Sequence, residues 1–303
     1  MFSKKKMLAA AAALFILSAV VTACGGAAGS QKITISSKEF TEQLLLGNMY
    51  ALLLDDAGFD TEFKSLGGSN ENHQPILNDE IDIYPEYTGT ALLTFLEEPY
   101  DPSMSAEDVY EKVSSEYAEQ FNLVWGEQTA FNNTYCIAMP KAKAEELGVS
   151  TLSELSTETS GLVFGTVQEF LERDDGLPGM QEMYGGFQFE EVIALDPGLK
   201  YAGIREGDID VTTCFGTDGQ ISAYDLTVLE DDKGFWPPYP VAPVMRQEVL
   251  DNNPEIKDVL DQLAPLLDGE TMSSLNWEVD GNGREVDEVA REFLTENGLL
   301  SAE

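Results

Sequence analysis

From residue 33 to residue 300, short apolar runs alternate with longer amphipathic stretches. Ile33–Ser36 reads as a strand, and Glu39–Ala57 as a helix whose apolar face carries Phe40, Leu44, Met49, Leu52 and Leu53. Ala106–Glu119 is helical with a polar outer face, and Thr134–Met139 is a strand stopped by Pro140. Leu152–Leu155 begins a short helix, while Leu162–Gly165, Glu191–Ala194, Ile209–Thr212 and Thr227–Leu229 read as short strands. Pro237-Pro238-Tyr239-Pro240 must be extended, and Pro254–Leu300 is helical. Strands alternating with helices predict an α/β fold of mostly parallel sheets flanked by helices. Ligands of such sheets bind at the carboxyl ends of the strands.

The chain repeats itself. Asp79-Glu80-Ile81-Asp82-Ile83 through Tyr87-Thr88-Gly89-Thr90 aligns with Gly207-Asp208-Ile209-Asp210-Val211 through Phe215-Gly216-Thr217-Asp218, and the same spacing pairs Gly58-Phe59 with Gly186-Phe187. Ile35–Phe40 resembles Gly165–Phe170 with a small shift. Two similar α/β lobes explain this most simply, each with an acidic-apolar strand that ends near an aromatic ring: Tyr87 in one, Phe215 in the other. Coincidence between short Ile-Asp-apolar strands is the alternative.

Ahead of the first strand, Lys4, Lys5 and Lys6 precede an apolar run from Met7 to Val21, then Val21-Thr22-Ala23-Cys24 and a small-residue stretch. This is the order of an export signal, and the run is short of the ~20 residues that span a bilayer. The Val-Thr-Ala-Cys tetrad resembles a bacterial lipobox, which implies cleavage before Cys24, lipid on its sulfur and a body tethered to the outer face of the cell membrane. The expected organisation is a signal peptide at 1–23, a lipid-anchored linker at 24–32, a discontinuous first lobe at 33–131 plus 242–303, and a second lobe at 132–241.

Charge narrows the partners. The chain carries 55 acidic against 17 basic residues, a formal net charge of -38, so it would repel a nucleic-acid backbone. At 43% hydrophobic residues it is nevertheless a folded protein and not an acidic tail, and the charge reads as a solvated face. One histidine, His73, weakens any proposal of a multi-histidine metal site or of His-based catalysis, and no Gly-x-Ser-x-Gly elbow is present. His73 reads as a helix-start residue, and the Asp55-Asp56 and Asp231-Asp232 pairs as solvated turns lacking the spacing of a calcium loop. With Cys24 assigned to lipid, Cys136 and Cys214 remain, each beside an aromatic; two buried thiols are expected, with a bridge as the alternative.

The stretches Ser36-Ser37-Lys38-Glu39-Phe40-Thr41-Glu42-Gln43, Tyr84-Pro85-Glu86-Tyr87-Thr88-Gly89-Thr90, Phe131-Asn132-Asn133-Thr134-Tyr135, Asp196-Pro197-Gly198-Leu199-Lys200-Tyr201, Thr217-Asp218-Gly219-Gln220 and Phe235-Trp236-Pro237-Pro238-Tyr239 occur in this order. Together they resemble the substrate-binding proteins of glycine betaine, carnitine and choline ABC importers, over about Ile33–Leu300. The resemblance implies a two-lobed periplasmic-binding-protein fold of type II with ligand in the interlobe cleft. It implies delivery to an ABC permease and its ATPase; a monomer is expected, with no cofactor or metal. By position in the motifs, Tyr87, Tyr135, Phe215 and Tyr239 are the implied aromatic cage for a quaternary ammonium, with Phe215 standing where Tyr is usual. Arg173 and Thr90 are the implied partners of a betaine carboxylate, with Asn133 nearby; Thr90 leans towards a zwitterion.

The chemistry of those residue types fits independently. A trimethylammonium has no N–H to donate, and its diffuse charge is matched by aromatic faces. A guanidinium is a planar two-donor fork for a carboxylate. Ser37, in the polar turn after the first strand, is a weaker candidate for the wall. Bland readings stay open: single tyrosines at strand ends also serve as packing, Tyr84 as core or rim, and Arg173 among Glu172, Asp174 and Asp175 suits a surface ion pair. An extracytoplasmic enzyme on the same fold and a sensor component passing occupancy to a receptor are the competing functions.

Overall fold

The computed structural model describes residues 32–300, and within them ten strands form two five-stranded sheets. The first sheet has the order β2 (Thr61–Ser65), β1 (Ile33–Ser37), β3 (Ile83–Tyr87), β10 (Val241–Arg246), β4 (Leu123–Trp125). The second has the order β7 (Glu191–Ala194), β6 (Val163–Thr166), β8 (Val211–Phe215), β5 (Tyr135–Pro140), β9 (Leu226–Val228). The expected signal peptide at 1–23 and the expected lipid site Cys24 lie outside the described residues.

The repeat is visible strand by strand. β1 pairs in parallel with its two neighbours β2 and β3, and β6 does the same with β7 and β8. Asp82, just before β3, accepts from the Thr34 N–H at 2.8 Å, and Asp210, just before β8, accepts from the Val163 N–H at 2.9 Å. The repeated Ile-Asp pair is thus a side-chain clamp on the neighbouring strand, which explains the acidic residue in an otherwise apolar strand.

The sheets are mixed where the pattern predicts mostly parallel ones: β10 and β5 run antiparallel to both neighbours. The reason lies in the connections. β5 and β10 are the strands entered after the chain leaves the opposite sheet, so neither is reached through a βαβ crossover, the connection that imposes parallel pairing. The two connections, 126–134 and 229–240, run beside each other: Asn132 Oδ1 accepts from the Tyr239 N–H at 2.7 Å, and the Asn133 N–H donates to the Tyr239 carbonyl at 3.2 Å.

Helix Thr41–Asp56 buries Leu45, Leu46, Met49, Leu53 and Leu54, and packs against Val286–Glu296, whose Val289, Ala290, Phe293 and Leu294 form the opposing stripe. The predicted face is displaced: Leu44 and Leu52 are half-buried, and Phe40 sits before the helix as its N-cap. Ala106–Phe121 is capped by Ser105, whose hydroxyl accepts from the Asp108 N–H, and ends at the left-handed Asn122. Tyr84 is core, fully buried, and His73 is buried inside helix Ser69–Leu77, stacked on Phe95 at 3.8 Å, where desolvation lowers its imidazole to about 4.

The cysteines are bridged, not free. β5 and β8 pair antiparallel with Cys136 opposite Cys214, Cα atoms 4.8 Å apart, and the sulfurs are bonded. Strand alternation sends each thiol away from its aromatic neighbour, as the pattern suggests, but the register then brings both thiols together on one face. That register belongs to two strands 78 residues apart and is not a local property of either.

Candidate functional site

The repeated strands deliver one ring each to the same place. Tyr87 closes β3 and Phe215 closes β8, while Tyr135 opens β5 directly opposite Phe215 in the register. Tyr239 arrives on the proline-rich connection, its ring held over Gly89; a Cβ there would lie 2.6 Å from the tyrosine ring, so the Tyr-Thr-Gly-Thr turn requires glycine. These four rings, with Thr90, Asn133 and Arg173, line one cavity of about 450 Å³ between the sheets. Ser37 is not in it: the side chain is fully buried and its hydroxyl donates to the Lys38 carbonyl at 2.9 Å.

Tyr135 is the hub. Its ring lies 4.9 Å from Phe215, 6.0 Å from Tyr239 in an edge-to-face contact, and 5.1 Å from Phe170. A fifth ring, Phe40, sits at stacking angles beside both Tyr87, at 6.4 Å, and Phe215, at 5.6 Å. Helical periodicity assigns Phe40 to the core, but its place one residue before the helix turns it into the cleft.

Two ammonium groups of the protein already use these rings. Lys38 Nζ is 5.0 Å from the Tyr87 centroid and pairs with buried Glu86 at 2.8 Å. Lys200 Nζ is 4.6 Å from the Phe215 centroid and 3.3 Å from Asp218. Asp218 also accepts from the Phe215 N–H at 2.9 Å and from the Tyr201 hydroxyl, so the Thr-Asp-Gly motif fixes the ring it follows.

Arg173 is not a free fork. Nε and Nη2 grip Asp175 at 2.6 and 2.5 Å, Nη1 reaches Glu169 at 3.2 Å, and Asp175 in turn accepts from the Tyr239 hydroxyl at 2.6 Å. The ion pair is buried and holds the Tyr239 ring through its hydroxyl. Neighbouring acidic residues hinted at such a pairing; that it braces Tyr239 needed the fold.

Glu42 joins the two halves. Its carboxyl accepts from Tyr87 Oη and Asn133 Nδ2, each at 2.6 Å, and from Thr217 Oγ1 at 2.5 Å across the cleft. Desolvation pushes it up from 4.5 to about 7, against the lowering effect of those donors. Burial, then the Glu42 charge, drives the Tyr87 phenol well above its ordinary value, so it stays a donor.

Two similar α/β lobes, two adjacent connections and a ring-lined cleft between them define a solute-binding protein of the two-lobed periplasmic class. Residues 31–296 match the family described as the substrate binding domain of ABC-type glycine betaine transport system. The chain belongs to that family, which is one of transport proteins and not of enzymes. It is 34% identical over 285 residues to the glycine-betaine-binding protein of Pseudomonas aeruginosa, covering 91% of each chain. It is 33% identical over 269 residues to an ergothioneine transport permease/ergothioneine binding protein of Helicobacter pylori, covering 88% of this chain but only 48% of that longer one. A crystal structure of a glycine betaine/carnitine/choline ABC transporter protein superposes with a TM-score of 0.72 at 29% identity, over 89% of this chain and 100% of that one.

Proposed function

We propose that this protein captures a quaternary ammonium compound of the betaine, carnitine or choline type outside the cell membrane and presents it to an ABC permease and its ATPase. One observation carries the reading: seven of the eight residues singled out from sequence motifs as ligand contacts converge on a single cavity. Tyr87, Tyr135, Phe215 and Tyr239, joined by Phe40, form the cage for the cation. Thr90 is the hydroxyl in the same cavity that is left to meet a carboxylate, since the Asn133 amide N–H groups are engaged by Glu42 and Tyr87. The lobes correspond to residues 33–131 plus 242–303 and residues 132–241, hinged at the paired connections around Asn132 and Tyr239. Cys24 carries the lipid, and the body works as a monomer.

Calorimetric titration with glycine betaine, carnitine and choline, and with glycine as a control lacking methyl groups, tests this. Saturable binding of at least one quaternary compound and none of glycine is expected. No binding of any of the three by folded protein would overturn it.

A further inference from the structure

The cleft is divided. A second compartment, of about 460 Å³, lies beside the one that holds the rings, and Glu39, Phe40, Asn133, Asp196, Pro197 and Phe215 line both. Tyr87, Tyr135 and Tyr239 line only the first. Among the shared residues, Phe40 and Phe215 are stacked rings, their centroids 5.6 Å apart and their planes 12° from parallel. Phe40 follows β1 of the first sheet and Phe215 closes β8 of the second, so the pair forms a bar across the cleft.

Phe40 occupies a position that phenylalanine does not suit. It is the N-cap of helix Thr41–Asp56, where Ser, Thr, Asp or Asn would accept from a free N–H, and the helix has no side-chain cap. A local rule broken without local compensation marks a residue used elsewhere. The backbone is fixed on both sides: the Glu39 N–H donates to the Gly67 carbonyl at 3.0 Å, and the Phe40 carbonyl accepts from the Leu44 N–H at 3.0 Å. The half-buried ring also lies at a stacking angle to Tyr87, so two rings hold it where the compartments meet. Held in this way, it is a fixed partition and not a swinging lid.

We propose that Phe40 is a specificity-determining residue: it closes the cation cage on the side of the second compartment and sets the largest substituent that the ammonium can carry there. The inference rests on the aromatic-cage reading above. A methyl group fits against the ring, whereas a longer substituent directed at the bar collides with it. Without the ring, the same substituent would pass into the 460 Å³ beyond.

Calorimetric titration with glycine betaine and with two analogues, in which benzyl or phenylpropyl replaces one N-methyl, tests the partition in wild type, Phe40→Ala and Phe40→Ser. The serine variant removes the ring and supplies the cap that the helix lacks, so its fold is supported. Wild type should bind glycine betaine about tenfold or more tightly than either analogue. In both variants each analogue should gain about tenfold or more over its own wild-type affinity, while glycine betaine gains nothing. Equal wild-type affinity for all three compounds would overturn the proposal, as would variants that still bind glycine betaine but gain neither analogue. A gain of the benzyl compound alone would reveal a ring-sized hole with no passage beyond it, and would also overturn the partition. Failure of wild type to bind any quaternary ammonium would remove the cage reading together with this one.

Discussion

The Tyr87 hydroxyl donates to Glu42 Oε1 at 2.6 Å, so a ring of the candidate cage is held by the same buried carboxyl that Thr217 reaches from the other lobe at 2.5 Å. Ring and hydroxyl therefore have separable roles. Tyr87→Phe keeps the face and loses the tether; its quaternary-ammonium affinity should fall by less than about 1 kcal/mol, the range of a single neutral hydrogen bond. Tyr87→Leu loses the face and should cost on the order of 1–3 kcal/mol. Calorimetry on both variants checks the split, and equal losses would mean that the hydroxyl, not the ring, matters.

Glu42 makes stability depend on pH in a specific direction. Its folded value of about 7 lies above the ordinary 4.5, so folding favours the protonated form. That contribution is fully present below about pH 4.5 and is lost as the pH rises through about 7; a shift of this size corresponds to about 3 kcal/mol. In Glu42→Gln the titration is gone. Denaturant midpoints of the variant relative to wild type should therefore rise between pH 5 and pH 8, and a constant difference would show that Glu42 does not titrate in this range.

The Cys136–Cys214 bridge closes a loop of 78 residues between adjacent strands. Reduction, or Cys136→Ser with Cys214→Ser, should lower unfolding free energy by about 2–4 kcal/mol. Urea unfolding with and without reductant measures it; superposable curves would contradict a closed bridge.

Arg173 is expected to support the cage and not to discriminate ligands. Because its fork is taken by Asp175, which holds Tyr239, Arg173→Ala would strand a buried carboxylate and loosen that ring. Affinities for choline and for glycine betaine should fall together. A loss confined to glycine betaine would instead make Arg173 the reader of the carboxylate.

Much of this site is legible in the sequence because it is local. The repeat places Tyr87 and Phe215 at equivalent strand ends, and the proline-rich stretch marks a connection that carries Tyr239. Features that depend on register or on distant partners are not legible. Cys136 and Cys214 each look like core residues until two strands distant in sequence align. Phe40 fits a helical stripe by spacing and leaves it by one residue at the helix start. Lys200 and Asp175 act through Phe215 and Tyr239, and no periodicity ties those pairs together.

Capture of a cation by aromatic faces is tested most directly by removing the charge and keeping the shape. Glycine betaine and 3,3-dimethylbutanoate differ in having a quaternary nitrogen or a quaternary carbon among the methyl groups. Desolvated cation–aromatic contacts of roughly 0.5–2 kcal/mol per ring predict that the betaine binds at least tenfold more tightly in side-by-side titrations. Equal affinity for the two would contradict a cation-binding cage, whatever else the cleft holds.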